Sequence, residues 1–218
     1  MPERLVLYTA IFGGKDDYRE PPDGDYETVL FTDRQPPRVR RAEVVIVNRP
    51  KDPRRLARLY KLSSHTLFPE ADLTIWMDGL IEVRGIDPRQ FCLTHLANAD
   101  LAAHNNAEAS CVYAAAIKCI NTNRDDPSVI LNQMNRYMDE GYPESCGLAE
   151  TGIVLRRRTP EVARFNDVWL DELSKGSVRD QLSFNYAVWK TGVRFSYIPG
   201  NLVRDGCSNG FRISHHIY

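Results

Sequence analysis

No apolar run in this 218-residue chain approaches the roughly 18 residues a membrane-crossing helix needs. Met1–Leu7 also lacks the architecture of a secretory signal peptide, so the expected location is the cytoplasm. Cysteine is scarce: the five, at 92, 111, 119, 146 and 207, are odd in number and contain no C-x-x-C pair. That argues against a disulfide scaffold or a structural zinc site and suits a reducing compartment. Net charge is nearly absent too, at −1, which speaks against a general nucleic-acid binder. Glycine and proline, 13 of each, are scattered and form no tract, which excludes fibrous and disordered classes. There is no internal repeat.

What is present is an ordinary globular composition, 43% hydrophobic and 26% charged, long enough to bury one sizeable core. With no convincing linker, residues 1–218 are expected to form a single domain. The near-zero charge hides an uneven distribution. Residues 1–33 carry −5, residues 34–61 carry +8 and the rest carry −4. A concentrated basic block repels itself unless something anionic offsets it. Solvated charge and a phosphate-bearing ligand both satisfy that requirement.

Short apolar runs alternate with helical patterns, which points to α/β. Leu5–Ile11, Thr28–Thr32, Val44–Val47 and Leu73–Met77 read as strands, and their near-continuous apolarity suits a parallel sheet covered on both faces. Ile153–Leu155 reads as a later strand, and the stretch from Phe195 onward as irregular or β. Asp52-Pro53, Asp126-Pro127 and Thr159-Pro160 each set a capping side chain before a first-turn proline. They announce helices over Arg54–Phe68, 127–139 and 160–174. A further helix is expected over 178–190.

Open α/β sheets bind ligands at the carboxyl ends of their strands, where loops and helix N-termini converge. Three such ends carry polar groups: Tyr8-Thr9 with the Gly13-Gly14 loop, Thr32-Asp33, and Asp78-Gly79. For any single Asp a turn or cap is the commoner role; two at strand ends raise the odds of a site. Arg54, Arg58, Lys61 and His65 form one helical stripe without an acid, while Leu56, Leu59, Tyr60 and Ser63 turn towards the sheet. Like charges at that spacing are unfavourable, which favours an anion site with Arg58 and Lys61 on phosphate. Asp180, beside Arg179 and Gln181, is either the partner of Ser177 in a helix cap or a carboxylate held ionised by Arg179. Glu150 is either a loop charge or a sugar-binding carboxylate. Arg156-Arg157-Arg158 reads most simply as a solvated run, and His95 and His104 as structural. His215 and His216 are a surface pair or, with Asp78, part of a metal site.

Several segments together resemble a glycosyltransferase-like domain family of bacteria, viruses and plants, long catalogued as a domain of unknown function. They are Tyr8–Gly14, Phe31–Asp33, Arg58–Lys61 with His65 and Phe68-Pro69, Trp76–Gly79, Gly147–Gly152, Arg156-Arg157 and Ser177–Phe184. The family includes plant members linked to cell-wall and mucilage polysaccharides. The resemblance implies a GT-A, Rossmann-like fold with a central, mostly parallel sheet flanked by helices, binding a nucleotide-sugar, most often a UDP-sugar. It gives Thr9, Ala10 and Asp33 to the nucleotide and Arg58 and Lys61 to ribose or diphosphate. The segment Trp76–Gly79 takes the place of a metal-binding Asp-x-Asp motif, but the second acidic position is Leu80. Mn²⁺ is the implied cofactor, and its site would need His215 or His216 beside Asp78.

The expected function is therefore transfer of a sugar from a nucleotide-sugar to a hydroxyl of a glycan or glycoconjugate. Such a reaction needs cations or a metal against the departing diphosphate and, where the stereochemistry inverts, a carboxylate base. Asp180 is the first candidate for that base and Glu150 the second, with Arg179 and Gln181 beside the donor. A metal-dependent hydrolase and a non-catalytic nucleotide- or carbohydrate-binding module are the alternatives. Acceptor recognition is expected in loops at 95–125 and 200–218.

Overall fold

A computed structural model describes residues 3–14, 16–36, 38–48, 50–106, 109–200, 202, 207–208 and 210–214. In chain order the elements are β1 (Leu5–Ile11), β2 (Glu27–Thr32), β3 (Glu43–Ile46), α1 (Pro53–Leu62), α2 (Ser64–Leu67), β4 (Leu73–Met77), β5 (Ile81–Val83) and α3 (Pro88–His95). There follow β6 (Leu101–Asn105), α4 (Val112–Asn121), α5 (Pro127–Asp139), β7 (Ala149–Arg157), α6 (Pro160–Lys175), α7 (Gln181–Thr191), β8 (Phe195–Ile198), β9 (Cys207–Ser208) and β10 (Phe211–Ile213). Among the described residues, seven strands make one sheet in the order β3-β2-β1-β4-β7-β6-β8, and β5-β10-β9 make a smaller one. β1 to β4 are mutually parallel, β7 runs antiparallel between β4 and β6, and β8 is parallel to β6. This is the mostly parallel α/β sheet that the apolar runs predict.

The topology decides where polar groups meet. Because β1, β2 and β4 are parallel, Ile11, Thr32 and Met77 all finish at one edge of the sheet. β7 runs the other way, with Met77 opposite Ile153, so its first residues, Ala149 to Thr151, arrive at that same edge. One sheet face is covered by α1, α6 and α7 through Leu56, Tyr60, Phe165, Trp169 and Phe184. The other is covered by α3 and the small sheet through Phe91, Cys92, Val83 and Phe211. Asp52, Asp126 and Thr159 cap α1, α5 and α6 through their side chains, each ahead of a first-turn proline.

Four local expectations are corrected. The helix expected over Arg54–Phe68 breaks at Ser63, whose hydroxyl donates to the Leu59 carbonyl (2.7 Å), and Leu59 is exposed rather than on the sheet. The stretch 95–125 is not a variable loop: it holds β6, paired on both sides, and α4. The helix expected from 178 begins at Gln181. Asp180 makes no side-chain cap there, so its pairing with Ser177 is absent. Finally, Arg156 is no solvated charge but 1% exposed, while Arg157 and Arg158 pair with Glu3 and Asp72.

Candidate functional site

α1 starts beside the loop that follows β1. Gly13 adopts a positive φ of 72° and lies so near Pro53 that an added Cβ would sit 3.1 Å from its ring, while its N–H donates to Asp33 (3.0 Å). Asp33 thus closes the β1 loop against the end of β2. Thr9 and Ala10 are buried within β1, and the Thr9 hydroxyl has no hydrogen-bond partner among the described residues. From this start α1 carries its basic stripe along the carboxyl edge of the sheet.

The stripe has no acid of its own, but distant elements bring two. Asp180, 3% exposed, lies 2.6 Å from both Arg58 Nε and Lys61 Nζ, and Lys61 is 0% exposed. Both contacts are buried ion pairs. Asp78 lies 3.6 Å from Lys61 and 3.9 Å from Arg58. Thr151 donates to Asp180 Oδ2 (3.0 Å), the Trp76 indole to Asp78 Oδ1 (2.7 Å), and the Trp169 indole to the Asp180 carbonyl (2.9 Å). Burial pushes the Asp180 carboxyl upward, but Arg58 and Lys61 outweigh it and hold the group well below the usual carboxylate range.

Glu150 is in the opposite condition. Burial and then the nearby Asp78 charge raise its pKa, with Asn106, Lys61 and Arg179 opposing. Its carboxylate accepts from Asn106 Nδ2 (2.9 Å) and lies 3.4 Å from Gln181 Nε2, which also donates to the Ala149 carbonyl (2.9 Å). Two carboxylates of one edge are therefore driven apart in proton affinity by their surroundings.

Of the four cations here, Arg58 and Lys61 are already offset, whereas Arg54 and Arg179 form no ion pair among the described residues. Arg54 donates to the Arg124 carbonyl (3.0 Å), and its charge is disfavoured by burial and then by Arg179 and Arg58. Arg179 buries its Nε without a hydrogen-bond partner among the described residues. The turn carrying it is fixed by Asp125, which accepts from the Ser177 hydroxyl (2.6 Å) and the Val178 N–H (2.8 Å).

The structure thus gathers Asp78, Glu150, Asp180, Arg58, Lys61, Arg179 and Gln181, with Thr9, Ala10 and Asp33 on the neighbouring strands of the same edge. His65 is drawn away to Asp167 (2.9 Å). His215 and His216 lie outside the described residues, as does most of 200–218. His104 is fully buried against Phe91 and Phe211, a core residue as its sequence context indicates. Trp76 and Thr151 fall inside segments that the family resemblance marks but receive no role there, and Trp169, Asn106 and Asp125 are not marked as site residues by sequence. Trp76 also carries a positional signal, standing two residues before Asp78 at the end of β4, a spacing that puts both side chains on one side.

With His215 and His216 outside the described residues, the carboxylates that are described make a poor donor set for a divalent ion by themselves. Among the described residues no group of three His, Cys, Asp or Glu side chains is placed to hold one. Asp78 Oδ1 already accepts from Trp76 and faces two cations, and both Asp180 oxygens are engaged. Among the described residues Asp78 Oδ2 and Glu150 Oε1 are the carboxylate arms left, fewer than the several oxygen or nitrogen ligands such an ion takes.

The family model described as TOD1/MUCI70, glycosyltransferase-like domain, matches residues 38–202. The chain is 27% identical over 212 residues to the probable hexosyltransferase MUCI70 of Arabidopsis thaliana, an alignment covering 83% of this chain. It spans 36% of that relative's length. Among solved structures, the apo form of the WbbM bifunctional glycosyltransferase covers 90% of this chain and 38% of its own, with a TM-score of 0.48 and 13% identity.

Proposed function

The chain belongs to the TOD1/MUCI70 glycosyltransferase-like domain family, and from that premise we propose that it transfers a hexosyl group from a nucleoside-diphosphate sugar, a UDP-sugar first, to a hydroxyl of a glycan or glycoconjugate. The observation that carries this reading is the meeting of four cations with two ion-paired aspartates at the carboxyl edge of the sheet. In the reaction the bond from the anomeric carbon to the diphosphate oxygen breaks, and its electron pair leaves with the diphosphate. A bond to the acceptor oxygen forms, and that oxygen gives up its proton.

Each step has a group suited to it. Arg54 and Arg179, which form no ion pair among the described residues, meet the diphosphate as its charge develops. Arg58 and Lys61 add fixed positive potential behind them, held in place by Asp180 and Asp78. Leaving-group charge is then offset by side chains, and no step is routed through a metal. Asp180 is a weak base, since two cations stabilise its ionised form. Glu150, with its raised affinity for a proton, is the better acceptor of the hydroxyl proton, which reverses the order in which the sequence ranks the two. Gln181 and Asn106 orient its carboxylate.

The test is incubation of the protein with a panel of UDP-hexoses and glycan acceptors, read by mass spectrometry for both UDP and glycosylated product. UDP released in step with a hexose-bearing acceptor supports transfer. Release of free hexose whatever the acceptor would turn the reading to hydrolysis, and consumption of no donor would turn it to a binding module.

A further inference from the structure

Arg156 is one of the largest fully buried side chains, yet among the described residues it pairs with no carboxylate. Its Nη2 donates to the Lys61 carbonyl (3.0 Å), its Nη1 to the Tyr8 hydroxyl (3.2 Å) and its Nε to Asn166 Oδ1 (3.1 Å). Tyr8 in turn donates to the same Lys61 carbonyl (2.8 Å). Asn166 passes on through its amide nitrogen to Ser64 and His65, both at 3.2 Å. The guanidinium also lies over the Trp169 ring at 5.8 Å, and Lys61 Nζ lies at the same distance from that ring. Burial lowers the proton affinity of Arg156, as expected for a charge facing only neutral groups.

A buried cation with neutral partners is an expensive way to fill a core, and an apolar side chain of similar size is often neutral or stabilising in such a place. Stability alone therefore does not account for it. Its contacts do: the Lys61 carbonyl belongs to the last turn of α1, where a positive charge complements the helix dipole. The side chain of that same residue reaches Asp180. Trp169, beneath Arg156, donates to the Asp180 carbonyl. We infer that Arg156 is a positioning residue, which fixes Lys61 from its backbone and Asp180 from Trp169, and so sets the central ion pair of the site.

The assignment bears on transfer only if the proposed function holds, so its first readout is independent of it. Lys61 modification by an amine-reactive ester, followed by mass spectrometry, reports directly on whether Lys61 stays seated. In Arg156→Met the melting temperature is expected to be unchanged or raised while Lys61 loses its protection. Arg156→Lys is expected to recover protection in part, because one ammonium cannot reach all three partners. Tyr8→Phe, which removes a single hydroxyl, is expected to loosen Lys61 in the same direction and serves if Arg156→Met fails to fold. The second readout is transfer, where misplacement by about 1 Å costs roughly 100-fold in kcat. Lys61 as protected as in wild type in every folded variant would overturn the inference. A wild-type protein that transfers no sugar would instead overturn the proposed function and leave the Lys61 result to stand alone.

Discussion

Replacing Asp180 by Asn keeps the shape of the side chain and removes one charge from the most buried ion pair of the site. Lys61 at 0% exposure would then lie in the interior without its 2.6 Å partner, and Arg58 would lose its 2.6 Å contact as well. Breaking a buried pair in this way typically costs about 3–5 kcal/mol. Asp78, at 3.6 and 3.9 Å from the same cations, offsets part of the loss, so the lower end, about 3 kcal/mol, is expected. For a domain of this size that is a fall in melting temperature of roughly 6–12 °C. Urea unfolding at several pH values measures it. The folded-state pKa of Asp180 is depressed, so its contribution is present above the ordinary carboxylate range and is lost as pH falls through and below that range. The gap between wild type and Asp180→Asn should therefore be full at pH 7 and narrow in acid. Removing the cation too, in Asp180→Asn/Lys61→Met, should recover part of the loss. A loss below about 1 kcal/mol at neutral pH, or a gap that widens in acid, would refute the reasoning.

Other perturbations probe separate parts of the account. Glu150→Gln should fold and lower the transfer rate by about 10²–10⁴-fold. Wild-type activity should rise with pH through an ionisation above the ordinary glutamate range, and that limb should vanish in the variant; a wild-type limb surviving intact in Glu150→Gln would remove Glu150 from the role. Gly147→Ala should destabilise, because the φ of 79° disfavours a side chain and the new Cβ would fall 2.2 Å from the Tyr197 hydroxyl; denaturant unfolding of the variant checks this. Chelation with EDTA should leave donor turnover largely intact, since side chains offset the leaving charge. Abolition by EDTA with recovery on adding Mn²⁺ would contradict that assignment.

Much of the architecture was legible before any coordinates. β1 and β4 fall at the residues their apolar runs mark, and α5 follows its Asp-Pro start signal to the residue. β6 was not legible because Leu-Ala-Ala-His-Asn carries no β-branched residue, and its strand character comes from pairing with β7 and β8. α3 carries the same Asp-Pro cap signal at Asp87-Pro88, with Asp87 accepting from the Arg89 N–H, so it too is legible in the sequence. At the site, the acid-free stripe on α1 could be read, but its partners could not. Asp180 lies more than a hundred residues away, and only the fold brings it to Lys61. Arg156 shows the same limit: three consecutive arginines look alike in sequence, while alternation along β7 turns Arg156 and Arg157 to opposite faces and Arg158 lies past the strand end, where it pairs with Asp72.

The central claim is that this edge of the sheet receives a nucleoside diphosphate, and thermal unfolding with and without UDP tests it most directly. At about 100 times its dissociation constant, UDP should stabilise the wild type by about 2.7 kcal/mol. GDP and CMP should do less, and the UDP effect should be strongly reduced in Arg179→Met. A well-folded wild type whose melting temperature is unmoved by UDP, with or without Mn²⁺, would contradict the account.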